Sequence, residues 1–134
     1  MEITRQTDYA IRCVLYLSRK PDQPTVVEQI AQEMSIPRSF LSKIVQKLSR
    51  ANILESFRGV KGGFKLVRKP TEISLLDVID AMQGPAASNK CAVDKAKCNL
   101  SSTCVVHPVW LELRKQTEDY LRKISFASLG DKIL

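Results

Sequence analysis

Histidine occurs once, aromatic residues are only 6% of the 134, and no stretch approaches the ~18 consecutive apolar residues of a membrane helix. Each scarcity excludes something. With few rings, the core has to be aliphatic. With one imidazole, and with no paired carboxylates or nucleophile elbow, the sequence offers little from which to build an active site. It reads as a binding protein rather than an enzyme, with no small-molecule substrate. Met1–Arg5 lack an apolar signal region, and Arg12 interrupts the run from Ala10 to Leu17. The expectation is a cytoplasmic chain without membrane contact, whose thiols stay reduced. Close-set C-x2-C pairs are absent too, although four cysteines are present.

What is present is a foldable composition with a lopsided charge. Hydrophobic residues make up 44% of the chain, enough to bury a core without staples. The net charge of +7 lies entirely in residues 1–70, and residues 71–134 are neutral. Within 37–69 there are nine basic residues and one acid, Glu55. A basic block joined to a neutral block marks a candidate polyanion-binding surface; a plain solvated face is the competing explanation.

Local pattern favours the first. Thr4 or Thr7 can cap a helix running to Ser18, with Ile11, Val14 and Leu15 inward. After the breaker Lys20–Pro24, Thr25 is expected to cap a helix over Val26–Met34. Pro37 suits the first turn of a third helix running to about Ala51. Leu41, Ile44, Val45 and Leu48 form the third helix's apolar stripe. Arg38, Ser39, Ser42, Lys43, Gln46 and Lys47 occupy the rest. This is a helix-turn-helix, whose second helix fits the DNA major groove. Two short strands follow, around the tip Arg58-Gly59-Val60-Lys61-Gly62-Gly63. They form a wing in which Arg58 and Lys61 can reach phosphates or a minor groove. No Gly-Lys-Ser/Thr follows, which disfavours a nucleotide loop. A helix over Thr71–Met82 closes the unit.

Residues 91–107 carry Cys91, Cys98 and Cys104, with His107 three positions later and little apolar periodicity. The gaps are wider than a structural zinc site usually shows, and suit an iron–sulfur cluster better. Lys90, Lys95 and Lys97 favour thiolates. Zinc on three cysteines and the histidine, metal-free thiol switching and a chance cluster remain open. Cys13 reads as a small core residue. Pro108 opens a helix to about Ser125, with Trp110, Leu113, Thr117, Tyr120 and Ile124 as a coiled-coil seam. The fold class expected is mainly α with a small β wing: a winged helix-turn-helix domain (1–83), a cysteine-rich loop (84–107), and a dimerisation helix with a C-terminal tail (108–134).

Several of these motifs together resemble the winged-helix iron–sulfur regulators of the IscR/NsrR kind. They are Thr7-Asp8-Tyr9-Ala10, Ile36-Pro37-Arg38-Ser39-Phe40-Leu41, the wing from Arg58 to Leu66, Ile73–Ile79, the three cysteines, and Val109-Trp110. The resemblance implies a homodimer bound to a palindromic double-stranded promoter site under the control of a cluster. It implies Cys91, Cys98 and Cys104 as cluster ligands. His107 stands as the fourth ligand of a [2Fe–2S] centre, which is favoured over [4Fe–4S]. In the [4Fe–4S] branch, Asp8 of the partner subunit stands at the position of the fourth ligand instead. Two departures are visible. The first cysteine gap is six residues where IscR-like members have five, and Ser42 stands where they carry an acidic DNA-reading residue.

Overall fold

The computed structural model describes residues 1–130. Helix α1 (Arg5–Ser18) begins where Thr4 Oγ1 accepts from the Thr7 amide at 3.1 Å, so Thr4 is the cap. Its buried residues include Ala10, Cys13, Val14 and Leu17. Ile11, expected inward, is only half-buried. Helix α2 (Val27–Met34) and helix α3 (Arg38–Arg50) form the helix-turn-helix. Ser35 makes the turn in the left-handed region, at φ 55°. The Ile36 side chain fills the corner, 3% exposed, and its amide donates to Ala31 O at 3.0 Å. The expected stripe of Leu41, Ile44, Val45 and Leu48 is buried.

Strands β1 (Leu54–Phe57) and β2 (Gly63–Leu66) pair antiparallel, with Leu54 opposite Leu66 and Phe57 opposite Gly63. Thr25 does not cap α2. It bridges to Phe64 instead, with backbone N–H···O distances of 2.9 and 2.8 Å in the two directions. The N-cap position of α2 falls one residue later, on Val26, whose side chain has no acceptor, so α2 starts without a side-chain cap. The Thr25–Phe64 bridge explains Gly63. A Cβ there would lie 2.5 Å from the Thr25 carbonyl carbon and oxygen, and its φ is +138°.

The closing helix starts later than its periodicity suggests. Pro70–Glu72 is a single 3-10 turn, Ile73 is extended, and α4 spans Leu75–Gln83. A capping box sets this start: Asp77 N donates to Ser74 Oγ at 3.2 Å and Ser74 N donates to Asp77 Oδ2 at 2.9 Å. The cysteine segment contains a one-turn helix, α5 (Lys90–Val93), and a 3-10 turn at Lys95–Lys97. Helix α6 spans His107–Arg122 and ends three residues earlier than expected, because the chain then turns back. Ile124 O accepts from the Leu75 amide at 2.9 Å, and Ser125 bridges Ser74. A short helix, α7 (Phe126–Gly130), packs on α1 and on the Pro70–Glu72 turn. Its Phe126 is fully buried in the same cluster as Val14, Leu17 and Ile73. The last four residues of the expected tail lie outside the described residues. Among the described residues, no helix is long and apolar enough to cross a membrane.

Candidate nucleic-acid interface and cysteine segment

Burying one stripe of α3 leaves the other residues of that helix on the surface. Ser39, Ser42, Lys43 and Gln46 are exposed. Ser42 Oγ donates back to Arg38 O at 3.2 Å. Lys47 is half-buried, and its Nζ donates to Gln6 Oε1 at 3.1 Å, which ties α3 to α1. Arg38 pairs with Glu28 of α2, Nη2 to Oε1, at 2.6 Å. Arg58 and Lys61 are exposed at the wing tip. A tight turn fixes that tip: Gly59 has φ +101°, and the Gly62 amide donates to Gly59 O at 2.9 Å. A cleft of about 370 Å³ separates α3 from the wing, lined by Glu28, Arg38, Ser42, Phe57 and Gly62 among others. Of the α3 and wing candidates, Arg38 and Ser42 line this cleft, while Ser39, Lys43, Gln46, Arg58 and Lys61 are exposed but do not line it. Glu28 and Gln6 were not signalled by the sequence, because their partners lie on other elements.

The cysteine segment is less closed. Cys91, Cys98 and Cys104 are free thiols, each half-buried. His107 begins α6 with its ring buried, and its amide donates to Cys104 O at 3.3 Å. Its Nδ1 is buried and meets no partner, as is the Ser101 hydroxyl between Cys98 and Cys104. A buried polar atom without a partner is destabilising, so this environment suits something that binds nitrogen. The donor chemistry fits a thiolate-held iron–sulfur group. The arrangement is not gathered: among the described residues, no three His, Cys, Asp or Glu side chains form a group that could hold a metal ion. Asp8, the alternative ligand, pairs with Arg12 at 3.0 Å on α1. Cys13 is fully buried, and burial pushes its thiol up to about 12, so it is an inert core residue.

The candidate dimer residues divide. Leu113 and Tyr120 are 43% and 66% exposed; Trp110, Thr117 and Ile124 are half-buried. Thr117 returns its hydroxyl to Leu113 O at 2.8 Å, and Ile124 lies beyond the end of α6. Helix α6 packs on α4 and α5, and Trp110, Arg114, Thr117 and Glu118 are among its half-buried residues. There Arg114 Nη1 donates to Ala92 O at 2.7 Å, while its Nε pairs with Glu118.

Comparison with known proteins agrees with this geometry. The chain is 32% identical over 123 residues to a protein of Aquifex aeolicus provisionally named an HTH-type transcriptional regulator, covering 90% of this chain and 85% of the other. It is 29% identical over 130 residues to the HTH-type transcriptional regulator IscR of Aliivibrio salmonicida, covering 96% and 77%. Its fold is similar to that of CymR, the global cysteine regulator of B. subtilis, with a TM-score of 0.78 at 23% identity over 97% of this chain and 96% of the other. It is also similar to T. potens IscR, with a TM-score of 0.76 at 22% identity over 96% and 85%. The profile of the Rrf2 family, described as iron-dependent transcriptional regulators, matches residues 3–132. The chain belongs to the Rrf2 family of winged-helix transcriptional regulators, DNA-binding proteins and not enzymes.

Proposed function

We propose that this regulator's promoter binding is controlled by an iron–sulfur cluster held by Cys91, Cys98, Cys104 and His107, of the [2Fe–2S] type in preference to [4Fe–4S]. The observation that carries this is the unpartnered, buried His107 Nδ1 on the same segment as three free thiols. The named residues are the ligands, and Asp8 of the partner subunit is the alternative to His107. A bound cluster supplies sensitivity to iron supply, redox state or nitric oxide. The residues supply the response. Ligation draws 91–107 together and fixes α6 relative to α4. That alters operator affinity only insofar as the ligated arrangement differs from the unligated one in its fit to DNA. Arg38, Ser39, Ser42, Lys43, Gln46 and Lys47 read or position the major groove, and Arg58 and Lys61 serve the wing. A cytoplasmic homodimer, joined through the exposed side of α6, would place two recognition helices on a palindrome.

A second reading is a winged-helix regulator that uses zinc or a thiol switch without a cluster. It is favoured by donors that are free and not gathered. Purification without oxygen decides between them. Visible absorbance with stoichiometric iron and sulfide, lost in the triple Cys91/Cys98/Cys104→Ala variant, supports the cluster. A colourless protein with zinc, or with no metal after reconstitution with iron and sulfide, refutes it.

A further inference from the structure

Among the described residues, Glu28 is the one acid that lines the cleft between α3 and the wing, and its partner is the first residue of the recognition helix. The pair is short, at 2.6 Å, yet its side chains are 70% and 58% exposed. Such a pair adds little to stability. The packing of α2 on α3 does not depend on it, because Ile30, Ile36 and Leu41 are buried there. An acid so placed also repels a polyanion. Its presence beside Arg38 calls for a role in which orientation outweighs that repulsion.

We propose that Glu28 is a specificity-determining positioning residue. Its carboxylate holds the Arg38 guanidinium so that the free edge reads one guanine in the major groove. This rests on the reading that α3 and the wing face DNA. The N-terminal residues of a recognition helix are those that meet base edges, and Arg38 opens α3. A guanidinium has five N–H donors in a rigid fork. The contact with Glu28 uses Nη2, which leaves donors on the fork for the O6 and N7 acceptors of guanine. Arg38 is a cation at the positive end of the α3 dipole, an unfavourable place that the neighbouring carboxylate offsets. Glu28 thus favours the one orientation of Arg38 that reads a base over the many in which the guanidinium would wander, and this raises the ratio of specific to non-specific binding.

The test uses the full chain with its thiols reduced. Operators are first selected from a random duplex library by the wild-type protein. Affinity is then measured on the selected site, and on sites with each base pair changed, across a salt series. Arg38→Ala is expected to lose discrimination at one G·C pair by roughly tenfold or more. Glu28→Gln is expected to lose discrimination at the same pair, by roughly severalfold, with its salt slope unchanged. Arg38→Lys is expected not to rescue, because an ammonium cannot make the bidentate contact. The proposal is overturned if Glu28→Gln tightens every site alike and steepens the salt slope by ~0.9, the signature of one added phosphate contact. It is also overturned if Arg38→Ala changes no base preference while Lys43→Ala still weakens binding. If Lys43→Ala and Arg58→Ala are silent as well, the DNA-facing surface itself is wrong and both readings fall.

Discussion

Replacing Phe126 with alanine tests whether the return of the chain after α6 is part of the winged unit. Phe126 has no exposed surface, and it shares a buried cluster with Val14, Leu17 and Ile73. Its amide donates to Ile73 O at 2.9 Å, so the ring is held by backbone as well as by packing. Truncating a buried phenylalanine to alanine typically costs ~3–5 kcal/mol, transfer and cavity terms together. Against a total stability on the order of 5–15 kcal/mol, that is a large share. For a domain of this size it corresponds to a fall in Tm of roughly 10–20 °C. Urea unfolding followed by far-UV circular dichroism measures it, with the thiols kept reduced. Protein concentration must be fixed, because self-association shifts apparent stability. The m-value should not change, and Phe126→Leu should recover most of the loss. A loss below about 1 kcal/mol, the size of an ordinary substitution, would refute the assignment of Phe126 to the core.

Three further outcomes follow from particular contacts. Gly63→Ala should cost on the order of 1–3 kcal/mol from backbone strain alone. It should also part the wing from Thr25, read as faster exchange of the Thr25 and Phe64 amides, since the new Cβ meets backbone rather than a yielding side chain. The Asp80 carboxyl is held above its ordinary value near 3.8, by burial first and then by Glu118 and Asp77. The folded chain therefore binds more protons than the unfolded one between the two values, and stability falls as pH rises through that window. Asp80→Asn should stabilise at pH 7 by no more than about 0.5 kcal/mol, given the exposure of the site. That gain should vanish when melting is repeated below the ordinary carboxylate value. Leu113→Asp, at an exposed position on α6, should give a monomer by light scattering with the far-UV spectrum unchanged. A persistent dimer would place the interface elsewhere.

The parts of the fold that the sequence displays are those set by one element's own periodicity. The stripe of α3 and the alternation of the wing each need only local spacing. The differences between pattern and structure have separate causes. Thr25 carries a good capping side chain, but its backbone pairs with Phe64, 39 positions away, and α2 starts one residue later, with Val26 at the cap. The start of α4 is legible in the Ser74–Asp77 spacing, which marks a capping box three residues after the Thr71 start expected from the sequence. Phe126–Gly130 is too short to show a period, and its burial depends on α1. At the candidate site, residue types were readable while pairings were not. Glu28 with Arg38, Gln6 with Lys47 and Arg114 with Ala92 all cross between elements. The cysteine spacing gives the donors without saying how closely they approach one another.

Both ends of the 84–123 excursion are fastened to a single helix. The chain leaves α4 at Gly84 and is stitched back at its start, where Ile124 O meets the Leu75 amide and Ser125 bridges Ser74. The anchors are therefore about 13 Å apart, the length of a nine-residue helix. The excursion between them therefore starts and finishes on one rigid element, like a handle on two fixed lugs. The 16 residues of α6 make an arm of about 24 Å that runs from the anchor near Ile124 back to His107, three residues past Cys104. If the thiols hold a cluster and α6 joins two copies, as proposed above, α6 is the element that would carry a change at the thiols to the contact between the copies.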